Sequence, residues 1–299
     1  MAETPQKPLL LALDGSERAF QTVRYISEIP SMRSMPVVLF SVFSRIPEPY
    51  WDLQQQPHVG RRIAEVHAWA IEEEKRLKAY MEKARKHLLK AGFSPESVRI
   101  LIHARESGIA RDILKQAAKG CHAVLVGRKG MAHLRRIVLG SVSTKLLEGM
   151  HFTPLILVGK GARPGKVLIA VDGSEGSLRA VDFAAATLDG SSMEVTLTHV
   201  VRASTRETIG EAEIVIGRFF DEAKEHLMAG GMRPTQISTQ VITNVPSRAA
   251  AIVEEARKGG YGTIIAGRRG ISKVEQFFLG RVTNKLIQMG KGLAIWVIN

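Results

Sequence analysis

The sequence predicts an α/β protein built as two tandem doubly wound domains, each a parallel sheet with helices on both faces. Three observations predict it. One unit occurs twice: Leu9-Leu10-Leu11-Ala12-Leu13-Asp14-Gly15-Ser16-Glu17 returns as Val167-Leu168-Ile169-Ala170-Val171-Asp172-Gly173-Ser174-Glu175, and Val124-Leu125-Val126-Gly127-Arg128-Lys129-Gly130 returns as Ile264-Ile265-Ala266-Gly267-Arg268-Arg269-Gly270. Within each copy, short apolar runs alternate with amphipathic segments, which is the pattern of right-handed βαβ units. Most of those runs lack polar alternation, as strands covered on both faces do. A repeat offset of 158 residues marks duplicated domains rather than a solenoid.

Taken in order, the first run is Leu9–Leu13, and it closes on Asp14-Gly15-Ser16. Val37–Val42, Val98–Ile102, Ala123–Val126 and Leu155–Val158 follow, giving five strands per copy. Between the second and third, Val66, Ala70, Leu77, Met81, Ala84 and Leu88 form an apolar stripe. Glu72, Glu73, Lys75, Lys78, Lys83 and Lys86 lie mostly off it, so the segment reads as a helix with Gly92 as its C-cap. The second copy repeats the idea with Val215, Phe219, Ala223 and Leu227, ending near Gly230-Gly231. Asp14 and Asp172 lie 158 residues apart but Gly127 and Gly267 only 140, so the first copy is 18 residues longer between these motifs. The stretch 45–62, with Pro47, Pro49, Pro57 and Gly60, is expected to hold that excess as a long loop. Tyr50 and Trp51 in it are read as packing under the loop in preference to covering a ligand. The stretch Gly159–Gly165, with Pro164, reads as the seam, dividing the chain into domains 1–160 and 161–299.

Composition bounds the function. The 299 residues are 45% hydrophobic and 24% charged, which excludes a disordered or fibrous chain. The single cysteine, Cys121, excludes a disulfide framework and fits a reducing compartment. No apolar run reaches the roughly 18–20 residues of a membrane span, and Met1–Pro8 has no apolar signal core. A cytoplasmic protein without membrane association is expected. The net charge of +13 is uneven: residues 1–160 hold 25 basic against 15 acidic residues, and the rest hold 17 against 14. This balance suggests anionic ligands, but charge alone does not choose among nucleotides, nucleic acid and lipid head groups.

The chemistry lies at the strand ends, where a doubly wound sheet binds its ligands. Asp14 ends the first strand, suited either to accepting ribose hydroxyls or to capping the next helix. Gly127, Gly130, Gly140 and Ser141 form a Gly-x2-Gly-x9-Gly-Ser pattern. The first two glycines are expected to allow positive φ and close approach of backbone to a ligand. Gly140-Ser141 then opens a helix whose free N–H groups attract phosphate, with Ser143 as a further donor and Arg128 and Lys129 adding charge beside the loop. No Gly-x-Gly-x-x-Gly follows the first strand and no Gly-x4-Gly-Lys-Ser/Thr occurs, so the dinucleotide and Walker-type sites are disfavoured. His103, His122, His133, His151 and His199 show no metal-ligand spacing, and no metal or catalytic set is assigned. Cys121 reads as a small buried apolar residue.

At these motifs the chain resembles the nucleotide-binding branch of the universal stress protein family, over almost its whole length and as a tandem of two family domains. The resemblance implies a five-stranded parallel sheet of order 3-2-1-4-5 and an ATP or AMP site, with magnesium admitted beside the phosphates. By position, Ala12, Leu13 and Asp14 would line the adenosine end, and Val42 would meet adenine through its backbone. Val126, Gly127, Lys129 and Gly130 would border ribose and phosphates, and Gly140, Ser141, Val142 and Ser143 would hold the phosphate chain. The counterparts are Ala170, Val171, Asp172, Val200, Ala266, Gly267, Arg269, Gly270, Gly280, Arg281, Val282 and Thr283. Arg281 stands where serine or threonine is expected, so the second site is read as altered. The resemblance further implies a stress-response regulator with little or no turnover and an unnamed regulatory partner. It also implies fifth strands, Leu155–Val158 and Leu293–Val297, that meet across a two-fold axis, and pairing of two chains. Two alternatives are weighed. A slow ATP hydrolase or adenylating enzyme would carry a fuller Ser-Gly-Gly-x-Asp-Ser loop than Asp14-Gly15-Ser16-Glu17. A nucleic-acid binder acting through the basic first copy would show an aromatic-interleaved basic stripe or a helix-turn-helix, and neither is evident.

Overall fold

The computed structural model describes residues 6–44, 60–128, 141–188, 192–202, 206–270 and 279–299. The first half runs β1 (Leu9–Ala12), α1 (Glu17–Ser27), β2 (Val37–Phe43), α2 (Gly60–Lys90), β3 (Val98–Ala104), α3 (Ile109–Ala117), β4 (Ala123–Gly127), α4 (Ser141–Gly149) and β5 (Leu155–Val158). The second half repeats it: β6 (Lys166–Ala170), α5 (Glu175–Leu188), β7 (Val195–Val200), α6 (Arg206–Ala229), β8 (Ile237–Ile242), α7 (Arg248–Lys258), β9 (Tyr261–Gly267), α8 (Arg281–Met289) and β10 (Ala294–Ile298).

All ten strands join one sheet, ordered β3-β2-β1-β4-β5-β10-β9-β6-β7-β8. Each half thus has the order 3-2-1-4-5, and every pairing is parallel except at the seam. There β5 and β10 run antiparallel, with Val158 opposite Ala294 and Leu155 opposite Val297. The central strands are buried on both faces, which is why their sequences are uninterrupted apolar runs. The outer strands β3 and β8 are only partly covered and admit Arg99, His103 and Gln240.

Two apolar layers sandwich the sheet, and each runs through the seam from one half into the other. One contains Phe20, Met81, Leu88, Val181, Leu227 and Trp296; the other contains Phe40, Ile113, Leu146, Ile252 and Leu286. Polar bonds tie the halves within this apolar setting. Tyr25 of α1 pairs with Thr263 of β9 (2.6 Å) and accepts from the Trp296 indole (3.0 Å). Burial, its largest influence, raises the Tyr25 pKa above the ordinary tyrosine value, so the phenol stays protonated.

Leu77, Met81, Ala84 and Leu88 of α2 are buried as the stripe predicts, and Gly92 beyond the helix takes φ +99°. The α6 stripe differs by one position at its start. Ile216 and Phe220 are buried while Val215 is exposed, because Ile216, Phe220, Ala223 and Leu227 keep the helical step onto the core. The Gly159–Gly165 stretch is packed rather than loose: Ala162 is buried, and Thr263 Oγ1 donates to the Pro164 carbonyl (3.3 Å). Among the described residues, no helix is long and apolar enough to cross a membrane.

Candidate functional site

At the carboxyl end of β1, Leu13 stays tied to the sheet, its N–H donating to the Phe40 carbonyl at 2.8 Å. The chain then turns sharply through Gly15 (φ +81°), as it does at Gly173 (φ +78°). The two roles open to Asp14 divide between neighbours. Ser16 Oγ accepts from the Ala19 N–H (3.1 Å) and caps α1, while Asp14 Oδ1 accepts from the Ser16 N–H (3.0 Å) and the residue lines a cleft. Tyr80 of α2 pins this turn by donating to the Ser16 carbonyl (2.9 Å). Burial, then Asp14 and Glu17, raise its pKa above the tyrosine norm. In the second half Asp172 Oδ1 accepts from the Ser174 N–H (3.2 Å) and hydroxyl (2.6 Å).

The glycines ending β4 and β9 answer to helix packing. A Cβ on Gly127 would lie 2.7 Å from the Arg18 carbonyl oxygen, and one on Gly267 would lie 2.5 Å from that of Gly176. Neither has positive φ, so the expectation of a left-handed turn is corrected. The first turn of α1 or α5 rests directly on the strand end. Gly270 serves the aspartate, since a Cβ there would lie 2.1 Å from Asp172 Oδ2.

The residues after Gly127 and Gly267 leave the site, which corrects the expectation for Arg128. It is 4% exposed and crosses the seam, donating through Nη1 to the Gly290 carbonyl (2.8 Å) and through Nη2 to that of Ile287. Arg268 does the reverse, donating to the carbonyls of Leu147 and Met150. Each caps the carboxyl end of the other half's last helix, where cations are favoured. Burial lowers both guanidinium pKa values to about 10, and both remain charged at neutral pH.

Two clefts result, one outside the carboxyl ends of each half's strands. The first, of about 500 Å³, is lined by Ala12, Leu13, Asp14, Val42, Val126, Gly127, Ser141, Val142 and Ser143. Lys129, Gly130 and Gly140 lie outside the described residues, as do Tyr50 and Trp51. The second cleft, of about 480 Å³, gathers Ala170, Val171, Asp172, Val200, Ala266, Gly267, Arg269, Gly270, Gly280, Arg281, Val282 and Thr283. Gly280 is the N-cap of α8 with no side-chain cap, its own N–H donating to the Arg268 carbonyl (2.8 Å). The Thr283 hydroxyl donates to the Gly267 carbonyl (2.8 Å).

The third helix of each half supplies lining that the sequence reading missed. Ile109 and Ile113 of α3, with Phe40 of β2, make an apolar end of the first cleft. Arg248 and Ile252 of α7, with Thr198 and His199 of β7, stand in the second. The signal was present as the steps Ala110, Ile113, Ala117 and Ala249, Ile252, Ala256. Nearby, His103, Glu106 and Asp112 bring ligand atoms within 4.8 Å of one another. The Asp112 carboxylate, however, already accepts from three main-chain N–H groups, and Glu106 faces Lys115 at 3.6 Å.

Residues 6–158 and 164–291 each match the universal stress protein family. The chain belongs to that family. As a universal stress protein it carries the family unit twice, which accounts for the mirrored halves of the sheet. It is 27% identical to universal stress protein YxiE of Bacillus subtilis over 136 residues, 42% of this chain and 92% of that one. It is 25% identical to a universal stress protein of Mycolicibacterium smegmatis over 64% of this chain and 63% of the relative. A solved universal stress protein from Archaeoglobus fulgidus has the same fold throughout, with a TM-score of 0.65, 18% identity and 98% of both chains covered. A functionally unknown protein from Pseudomonas aeruginosa aligns with a TM-score of 0.55 and 18% identity, over 98% of this chain and 92% of its own.

Proposed function

We propose that the first cleft holds an adenine nucleotide, ATP or AMP, and that the protein is a nucleotide-responsive regulatory module with little or no turnover. The observation that carries this reading is the division of the cleft's lining. Phe40, Val42, Ile109 and Ile113 offer an apolar slot on the β2 side of β1, suited to a flat base. On the β4 side, α4 begins at Ser141 and presents its amino end with Ser141 and Ser143, suited to phosphates. Asp14, at the end of the strand between them, suits ribose hydroxyls or a magnesium ion travelling with the phosphates. Occupancy would favour one of two states of the protein and so bias a regulatory partner's affinity. We place the unit boundary at 160/161, the protein in the cytoplasm, and a further pairing between two chains on faces other than β5 and β10.

Calorimetry with ATP and AMP, with and without magnesium, tests the central claim. One tight equivalent is expected, lost in Ile113→Arg and weakened in Asp14→Ala, with phosphate release staying near background under multiple turnover. Silence at millimolar nucleotide would overturn the proposal, and robust turnover would replace it with the hydrolase reading. Light scattering checks the pairing of chains.

A further inference from the structure

We infer that the second cleft is built for a compact ligand carrying two or more phosphoryl groups and no base. The inference rests on reading the strand-end clefts as anion sites and adds that the two copies take different chemistry. Equivalent positions diverge most at the end where the first cleft is apolar. Ala12 lies opposite Phe40 in the β1–β2 register, and Ala170 opposite Thr198 in the β6–β7 register, so Thr198 replaces an aromatic ring. His199 takes the place of Ser41, and Arg248 begins α7 where Ile109 begins α3.

These replacements add a hydroxyl and a guanidinium to the slot, beside the retained Val200 and Ile252. Thr198 lines the cleft, is 1% exposed, and its hydroxyl has no hydrogen-bond partner among the described residues. An orphan hydroxyl is costly to bury unless a ligand completes it. The main-chain acceptors that a base's amino group would use are engaged as well. The Val171 carbonyl bonds His199 Nδ1 at 2.8 Å, and the Val200 carbonyl accepts from Arg248 Nε at 3.1 Å. A flat purine keeps Val200 and Ile252 but loses the aromatic ring, the isoleucine at the start of the helix and its edge partners, and meets a guanidinium whose remaining N–H groups suit phosphoryl oxygens.

The opposite end is cationic too. Arg281 stands at the first turn of α8, whose N-cap glycine offers no side-chain oxygen, and Arg269 lines the same cleft. Asp172 is the lining carboxylate, and its oxygen is occupied by Ser174. Donors at both ends of a cleft of about 480 Å³ fit a short molecule that is anionic at both ends. Two sources share this chemistry: a condensed inorganic phosphate and a bisphosphorylated sugar.

The test uses the full chain and calorimetry with tripolyphosphate, fructose 1,6-bisphosphate, ATP and adenosine as probes. One equivalent of tripolyphosphate or of the bisphosphate is expected, with affinity falling about tenfold or more in Arg248→Ile and in Thr198→Val. Circular dichroism verifies that each variant is folded. Preference for the inorganic probe assigns a condensed phosphate, and preference for the sugar assigns a bisphosphorylated metabolite. No binding of either polyanion, with ATP still bound at one equivalent, would overturn this inference while sparing the nucleotide reading of the first cleft. Two equal equivalents of ATP would overturn this inference while sparing that reading. Polyanion binding that ignores both substitutions would also overturn it, as attraction to the basic surface at large. Loss of ATP binding alone, with polyanion binding intact, would sink only the nucleotide reading.

Discussion

Gly127 shows how far a single residue can be read from sequence. Its recurrence as Gly267, each time at a strand end, was legible, and so was the demand for glycine. The cause was not legible, because the atom that excludes a Cβ belongs to Arg18, more than a hundred residues earlier in the chain. The prediction that follows concerns packing. Gly127→Ala drives a methyl into the main chain of α1, and it is expected to cost about 1–3 kcal/mol. Gly217→Ala is the control: it lies within α6 with no described residue within 4 Å of a new Cβ, and it is expected to stabilise by about 0.5–1 kcal/mol. Urea midpoints of both variants check the pair, and an unchanged midpoint for Gly127→Ala would refute the packing explanation. Cys121 met its expectation more directly, being buried with its thiol pushed up to about 11 by that burial.

At the scale of elements, strands were easier to read than helices. The five apolar runs of the first copy became β1 to β5 with no end shifted by more than two residues, because buried parallel strands are written in continuous aliphatic letters. The helices α3 and α7 escaped, and with them Ile109, Ile113, Arg248 and Ile252. Alanine fills two of the four buried positions of α3 and three of the five of α7, which gives the periodic signal little contrast. Asp112 fixes the entry to α3. Its carboxylate accepts from the N–H groups of Glu106 (3.0 Å), Ser107 (3.0 Å) and Gly108 (3.3 Å). Burial pushes its pKa upward, but those three donors outweigh it and hold the carboxyl below the usual range. Asp112→Ala strands these donors and is expected to cost about 1–3 kcal/mol. Because Ile109 and Ile113 ride on the same helix, nucleotide affinity of the first cleft is expected to fall with stability. Thermal unfolding and calorimetry on one variant measure both effects, and full affinity in a destabilised protein would separate the helix entry from the cleft.

Across the whole molecule, the apolar seam was foreseeable and its polar locks were not. Leu155–Val158 and the last strand are hydrophobic enough to meet, but nothing local marks Tyr25, His122, Arg128 or Arg268 as residues that reach into the other half. Their partners across the seam are distant in the chain, and are main-chain carbonyls, hydroxyls and, for Tyr25, also the Trp296 indole, which no pattern reveals. His122 makes one lock testable by pH. Its ring pairs with Thr187 Oγ1 of α5 (2.9 Å) and stacks on Phe183 with centroids 4.7 Å apart. Burial first, and Lys7 second, hold its pKa below the ordinary histidine value. The unfolded chain therefore binds this proton more readily than the folded one. Its stabilising contribution is complete above the unfolded pKa of about 6.5 and is lost as pH falls through the folded value. His87, lowered chiefly by burial and then by Arg24, adds a second contribution of the same sign in that window. Protonation at His122 places a second cation beside Lys7 in a partly buried seam, so acid is expected to loosen the halves from each other. His122→Gln keeps a side chain able to bond Thr187 and removes the titration. Between pH 7.5 and 5 its unfolding midpoint is expected to fall less steeply than that of the parent protein, with the remaining slope owed to His87 and the carboxylates. Parallel slopes for the two proteins would mean that the seam does not feel this proton.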